Sequence, residues 1–169
     1  ESIVKVVKYT YSLKNKHVNV VTNTLAKTEV KLFTDGGSRG NPGPSACGIV
    51  ILDLDDNVVT KTSKYLGITT NNQAEYQAVL EGLEIALTYN AKIVHVYMDS
   101  LLVVNQMLGI FKIKNRELWP IHQAVKEITK KFTKVSFTHI PREMNRLADA
   151  EVNILLDSKE KDGLRSELL

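Results

Sequence analysis

The run from Lys31 to Pro44, KLFTDGGSRGNPGP, constrains this chain more than any other. Val30, Leu32 and Thr34 alternate with Lys31, Phe33 and Asp35, the period-two pattern of a strand. Gly36 and Gly37 then interrupt it, and Gly40-Asn41-Pro42-Gly43-Pro44 is dense in turn formers. The pattern predicts a strand that ends at Asp35, beside a glycine-rich loop where a large ligand can approach the backbone closely. Two roles stand open for Asp35 at this point. It is either a carboxylate hydrogen-bonded into its own turn or a group that faces a ligand.

The 169 residues, 43% of them hydrophobic, suffice to bury one real core. The lone Cys47 excludes an internal disulfide framework and a cysteine metal cluster. Its apolar surroundings, Ala46 to Leu52, read as those of a buried thiol. No stretch is apolar for long enough to span a membrane and no signal peptide is visible, so a cytoplasmic, intracellular protein is expected. The chain begins at Glu1, which suits a trimmed protein or a piece of a longer one. The net charge of +3 is concentrated in residues 1–29, where five lysines meet only Glu1 and Glu29. Local basic patches (Lys112, Lys114 and Arg116; Lys130, Lys131 and Lys134) admit an anionic partner, though solvated lysines give the same pattern.

Residues 2–11 and 17–22 are strand-like and the polar Ser12 to Lys16 suits a hairpin turn between them, with 23–29 as linker, so residues 1–29 read as an N-terminal extension. The strand to Asp35, one near Ala46–Leu52 and one near Val58–Leu66, joined by short turns, predict an antiparallel meander. A helix follows over about Asn72 to Tyr89, with Thr69, Thr70 and Asn71 as candidate caps. At 100° per residue its polar face is Gln77, Glu81, Glu84 and Thr88. Glu75 falls almost opposite, beside Val79, Gly82 and Ala86, and so points at the sheet. Lys92–Asp99 is nearly continuous hydrophobe, as a central parallel strand would be, and it too ends in an aspartate. His95, mid-strand, reads as a packed core histidine. Ser100 can cap a short helix, Leu101–Leu108, that Gly109 terminates. A basic loop over 110–118, a helix to about Phe132 and a strand Val135–Ile140 come next. The final helix, about Asn145–Asp157, places Asp149, Val152 and Leu156 on one stripe, so Asp149 also looks inward. Residues 158–169 read as a fraying tail.

Four carboxylates therefore share one peculiarity. Asp35 and Asp99 end strands; Glu75 and Asp149 sit on inward helix faces. Ligands of open sheets gather beyond the carboxyl ends of strands. Four convergent acids cannot all stay ionised in a half-buried site without a cation. Hard oxygen donors with no thiolate suit magnesium or manganese, and two such ions roughly 4 Å apart would clamp the attacking and leaving oxygens of a phosphodiester. Residue types alone reach metal-dependent phosphoryl chemistry and no further.

Four blocks, TDGGSRGNPGP (Thr34–Pro44), TTNNQAEYQA (Thr69–Ala78), MDSLLVV (Met98–Val104) and HIPREMNRLAD (His139–Asp149), resemble in order and spacing the active-site blocks of type 1 ribonuclease H. The likeness covers about residues 30–157 and, with a short connection after the second helix, is to the compact form without a basic protrusion. It implies an α/β fold: a mixed five-stranded sheet, three antiparallel then two parallel strands, with helices on both faces. It implies an endonuclease that cleaves the RNA strand of an RNA–DNA hybrid, a 5′-phosphate product, and two Mg²⁺ ions that Mn²⁺ can replace. By position Asp35 would bridge both ions, Asp149 would hold the nucleophile-side ion, and Glu75 and Asp99 the other. His139 matches a histidine of proton transfer or product release. Asn41, Asn71 and Asn72 match minor-groove contacts, with Thr70 beside them, and the Gly36–Gly37 backbone could read 2′-hydroxyls. A monomer with no obligate protein partner is expected.

One departure stands out: Leu101 occupies a position that is often a substrate-touching glutamine. Residues 1–29 match nothing in the family and read as linker or as a hybrid-binding hairpin. The nuclease domain of a reverse transcriptase, an integrase-like strand transferase and a hybrid-binding module that has lost catalysis are the other readings. The intact GNPGP and TTNNQAE runs favour the cellular-type nuclease over the first two, and retention of four acids with His139 argues against the third.

Overall fold

A computed structural model of the chain describes residues 9–13, 16–20 and 28–167. The strand-like positions 2–8 and 21–22 lie outside these residues. Strands β1 (Tyr9–Leu13) and β2 (Lys16–Val20) pair antiparallel in a two-stranded sheet, with Ser12, Leu13 and Lys16 in the strands and not in the turn. The main sheet comprises β3 (Glu29–Ser38), β4 (Gly43–Leu52), β5 (Val58–Thr69), β6 (Ile93–Met98) and β7 (Lys134–His139), ordered β5-β4-β3-β6-β7. The first three run antiparallel; β3, β6 and β7 run parallel. The helices are α1 (Asn71–Thr88), α2 (Leu101–Met107), α3 (Trp119–Thr129, entered through a 3₁₀ turn at Arg116–Leu118) and α4 (Arg146–Glu167). The α/β class and the mixed five-stranded sheet match the expectation.

Helix α1 starts where the sequence places its cap. The Gln73 amide donates to Thr70 Oγ1 (3.2 Å), and the Thr70 amide donates back to Gln73 Oε1 (2.9 Å). Such a box contributes about 1 kcal/mol. Fully burying Val79 or Leu83 against the sheet is worth about 2 kcal/mol each, so packing rather than capping holds the helix. The main core lies between α1, α3 and one face of the sheet; smaller clusters under α4 join Ala46 to Val152 and Leu156, and Val50 to Ala148.

Four expectations need correction. β3 does not stop at Asp35: it runs through both glycines to Ser38, paired with Cys47, Ala46 and Ser45 of β4. Only its parallel ladder with β6 ends early, at Phe33 opposite Tyr97, so Asp35 still lies beyond the carboxyl end of that ladder. β6 is not buried on both faces. Val94, Val96 and Met98 are buried while Ile93, His95 and Tyr97 are half-exposed, because α4 packs on β3, β4 and β5. His95 is accordingly not a packed core residue; its Nε2 lies 2.8 Å from Glu29 Oε1 and its Nδ1 3.0 Å from Ser136 Oγ. Finally, α4 continues to Glu167 instead of fraying after Asp157. Residues 157–162 are polar helix formers without proline, and they are tied down: Asp157 Oδ1 accepts from Arg39 Nη2 at 2.6 Å, and Lys159 sits over the Tyr65 ring.

Candidate active site

Two glycines bring the acids together. A Cβ on Gly36 would lie 2.2 Å from the Ala74 carbonyl carbon and 2.3 Å from the Glu75 nitrogen, so only glycine lets β3 touch the first turn of α1. That contact delivers Glu75 next to Asp35. Across the ladder Asp35 pairs with Gly48, and a Cβ there would meet the Ala148 carbonyl oxygen at 2.2 Å. Helix α4 therefore presses on β4 beside Asp35 and presents Asp149 to it. Asp99 follows the last residue of β6, and Ser100 starts α2 by accepting from the Val103 amide.

One carboxylate oxygen from each of Asp35, Glu75 and Asp99 lies within 4.8 Å of the others. Asp35 and Glu75 are only 8% and 5% exposed; Asp99 is half-buried. Burial, with the Asp99 and Asp149 charges, pushes Asp35 up to about 7. Burial and the charges of Asp35 and Asp99 raise Glu75 well above the carboxylate range, and burial raises Asp99. Three mutually repelling acids held together by the fold are a cluster that could hold a metal ion. Glu75 Oε2 is buried with no hydrogen-bond donor among the described residues, as a ligand oxygen would be. The donor set, carboxylates alone, suits a hard divalent ion.

Asp149 stands outside that trio. It is half-buried on the wall of the same cleft, of about 420 Å³, and its Oδ1 accepts from Arg142 Nη2 at 3.1 Å. The Arg142 charge opposes the upward shifts of Asp35 and Asp99. His139 ends β7, exposed, opposite Met98, and its charge bears on Asp99. Asn41 and Asn71 meet: the Asn71 amide donates to Asn41 Oδ1 at 3.0 Å. Asn72 is exposed and lines a second cleft with Gln106 and Lys114. The Thr70 hydroxyl is engaged in the α1 cap. Leu101, 51% exposed, sits next to the site.

Three residues of the site carry roles that the sequence reading missed: Arg39, Arg142 and Asn145. Arg39 binds the glycine-rich loop to α4 through Asn153 and Asp157. Arg142 and Asn145 both lie inside the HIPREMNRLAD run, where a cation and an amide just upstream of Asp149 were the available signal.

The Reverse transcriptase-like family model matches residues 33–154. The chain is 38% identical over 128 residues to "Ribonuclease HI" of Halobacterium salinarum, covering 76% of this chain and 64% of that one. It is 37% identical over 131 residues to a "Bifunctional protein" of Mycobacterium tuberculosis, covering 77% of this chain but 36% of that one. The chain thus spans about a third to two thirds of these curated relatives. Among solved structures, the RNase H1 of Halobacterium salinarum superposes with a TM-score of 0.76 at 37% identity, covering 77% of this chain and 98% of that one. LC11-RNase H1, solved in complex with RNA/DNA hybrid, gives 0.74 at 39% identity, covering 77% and 98%. The family match spans all four acid-bearing blocks, on the same mixed sheet, and this chain belongs to the reverse transcriptase-like, ribonuclease H-type family.

Proposed function

We propose that this chain is an endoribonuclease that hydrolyses the RNA strand of RNA–DNA hybrids, with two divalent ions, Mg²⁺ by preference and Mn²⁺ as a substitute. The observation that carries the reading is the cluster of buried Asp35 and Glu75 with half-buried Asp99, whose mutual repulsion a cation would relieve. The hybrid bound to LC11-RNase H1 supports the substrate class. Asp35, Glu75 and Asp99 would hold one ion, and Asp35 with Asp149 the other. Bound there, divalent ions supply charge stabilisation at the attacking and leaving oxygens of the phosphodiester.

The chain's own residues do the rest. A duplex would lie across the cleft that Asp35, Asp99, Arg142 and Asp149 line. Asn41 and Asn71, joined by the bond from the Asn71 main-chain N–H to Asn41 Oδ1, would contact the hybrid's minor groove together with Asn72. The Gly36–Gly37 backbone would read the 2′-hydroxyls that distinguish RNA from DNA. His139, exposed at the end of β7, is free to take and return a proton and to assist product departure. Cleavage leaves a 5′-phosphate on one fragment and a 3′-hydroxyl on the other. The proposal extends to a monomeric, intracellular enzyme.

The test is a labelled RNA–DNA hybrid offered beside duplex RNA and duplex DNA, with Mg²⁺, with Mn²⁺ and in EDTA. Cleavage of the RNA strand of the hybrid alone, lost in EDTA, is expected. Asp35→Asn, Glu75→Gln, Asp99→Asn and Asp149→Asn should each lower the rate by at least about a thousandfold, the scale of losing an electrostatic centre. Full activity of the Asp35 or Asp99 variant would end the two-metal reading. Hybrid binding without cleavage by the wild-type chain would make it a binding module instead.

A further inference from the structure

Asn145 is 1% exposed and immediately precedes α4. An asparagine there ordinarily turns its side-chain oxygen onto the first helical amides. This one does not. Its Nδ2 donates to the Thr34 carbonyl oxygen at 2.9 Å, across to β3, while Oδ1 is buried with no donor among the described residues. Turning the amide over would set Oδ1 against the Thr34 oxygen, two acceptors face to face, so the orientation is fixed. Helix capping therefore does not account for this side chain, and one of its polar atoms is left unsatisfied in the interior.

The backbone of the same residue completes a chain of links. The Asp149 amide donates to the Asn145 carbonyl oxygen at 3.1 Å, and the Asn145 amide donates to the Arg142 carbonyl oxygen at 2.9 Å. Thr34 is bonded directly to Asp35. Two hydrogen bonds and one peptide bond thus connect Asp35 on β3 to Asp149 on α4. Arg142, which hydrogen-bonds the Asp149 carboxylate, hangs from the same residue.

We propose that Asn145 is a positioning residue for the metal centre: it sets the distance of Asp149 from the Asp35–Glu75–Asp99 trio, and so decides whether Asp35 and Asp149 can share an ion. This rests on the two-ion reading above. The unsatisfied Oδ1 is then what the site tolerates in order to keep a donor aimed at the residue before Asp35.

The experiment compares wild type with Asn145→Ala and with Asn145→Ser, which keeps a residue suited to the helix start but cannot reach the Thr34 oxygen. Mn²⁺ binding is followed by calorimetry without substrate, turnover is followed on a labelled hybrid, and unfolding is followed in EDTA. Loosening Asp149 should weaken one Mn²⁺ step at least about fivefold, reproducing the isotherm of Asp149→Asn. It should cut kcat by about tenfold to a hundredfold, the scale of an ångström of misplacement, with KM for the hybrid within about twofold. A lower melting temperature with unchanged Mn²⁺ isotherm and kcat would overturn the proposal, since a purely structural link moves stability alone. A wild-type isotherm that does not change on Asp149→Asn would overturn it as well. If the wild-type chain cleaves no hybrid, the functional reading fails, yet the isotherms still decide the role of Asn145. Should the alanine variant not fold, the serine variant carries the same comparison.

Discussion

Neutralising Asp35 should make the metal-free protein more stable, and the size follows from its surroundings. The carboxyl is pushed up to about 7 from an ordinary 3.8, chiefly by burial and then by the Asp99 and Asp149 charges. Each unit is about 1.36 kcal/mol, so an ionised Asp35 costs the folded state about 4 kcal/mol above neutral pH. In the Asp35→Asn variant the side-chain amide keeps an oxygen for the Gly36 N–H but buries a new donor, which takes back about 1 kcal/mol. A net gain of about 3 kcal/mol corresponds to about 9 °C in a domain of this size. The pH dependence has a definite sign. Because the folded value is the higher one, the cost is complete above about pH 7. It fades as pH falls toward 4, where the folded protein holds a proton that the unfolded chain lacks. Thermal unfolding of wild type and Asp35→Asn in EDTA, from pH 8 to pH 4, should therefore show a gap that is largest at pH 8 and nearly closed at pH 4. Adding Mg²⁺ at pH 8 should raise the wild type and close the gap from the other side. A variant no more stable than wild type at pH 8, or a gap that widens on acidification, would refute the electrostatic account of the site.

Gly36→Ala should destabilise the fold by about 3 kcal/mol and abolish activity together, because the new Cβ meets the Ala74 and Glu75 backbone; a stable, active variant on chemical denaturation would show that the strand–helix contact does not set the centre. His139→Ala should slow turnover by about tenfold to a hundredfold, far less than any of the four carboxylate changes, since in the proposed role an exposed acid–base group would be partly replaced by solvent; a loss equal to that of Asp35→Asn in steady-state assays would point to a metal ligand instead. Deleting residues 1–27, which removes the five lysines and leaves β3 whole, should raise KM and flatten the salt dependence of hybrid binding by about two log units per decade of salt, if two or three of those lysines meet phosphates; titrations at several salt concentrations that superpose for the two proteins would make the segment a linker.

The sequence exposed the chemistry of the site more fully than its joinery, and the reason is physical. Glu75 violated a local rule, a carboxylate where the helix pattern called for an apolar residue, and Asp35 and Asp99 each closed a strand-like run with a carboxylate. Such violations are visible in one dimension because period-two and 3.6-residue patterns are local. The GNPGP turn and the Thr70 cap were legible for the same reason. Gly36 and Gly37 misled, because a glycine pair inside a strand looks identical whether it ends the strand or admits a helix against it. What decides is Ala74, nearly forty residues on, and no periodicity reports that contact. The half-open face of β6 was hidden likewise: Ile93, His95 and Tyr97 read as part of a buried run until α4 is seen to lie over β3, β4 and β5. The length of α4 was missed because residues 157–162 carry no apolar stripe, their support being an arginine 118 residues away in the glycine-rich loop. Asp149 is the instructive middle case. Its stripe with Val152 and Leu156 placed it on the inward face, and the structure puts it on the cleft wall, but outside the trio and held by Arg142. A helical wheel fixes direction and not distance. In the role proposed for Asn145 that distance depends on its bond to Thr34, between residues 111 apart, so that a single substitution at Asn145 should change the geometry of the centre.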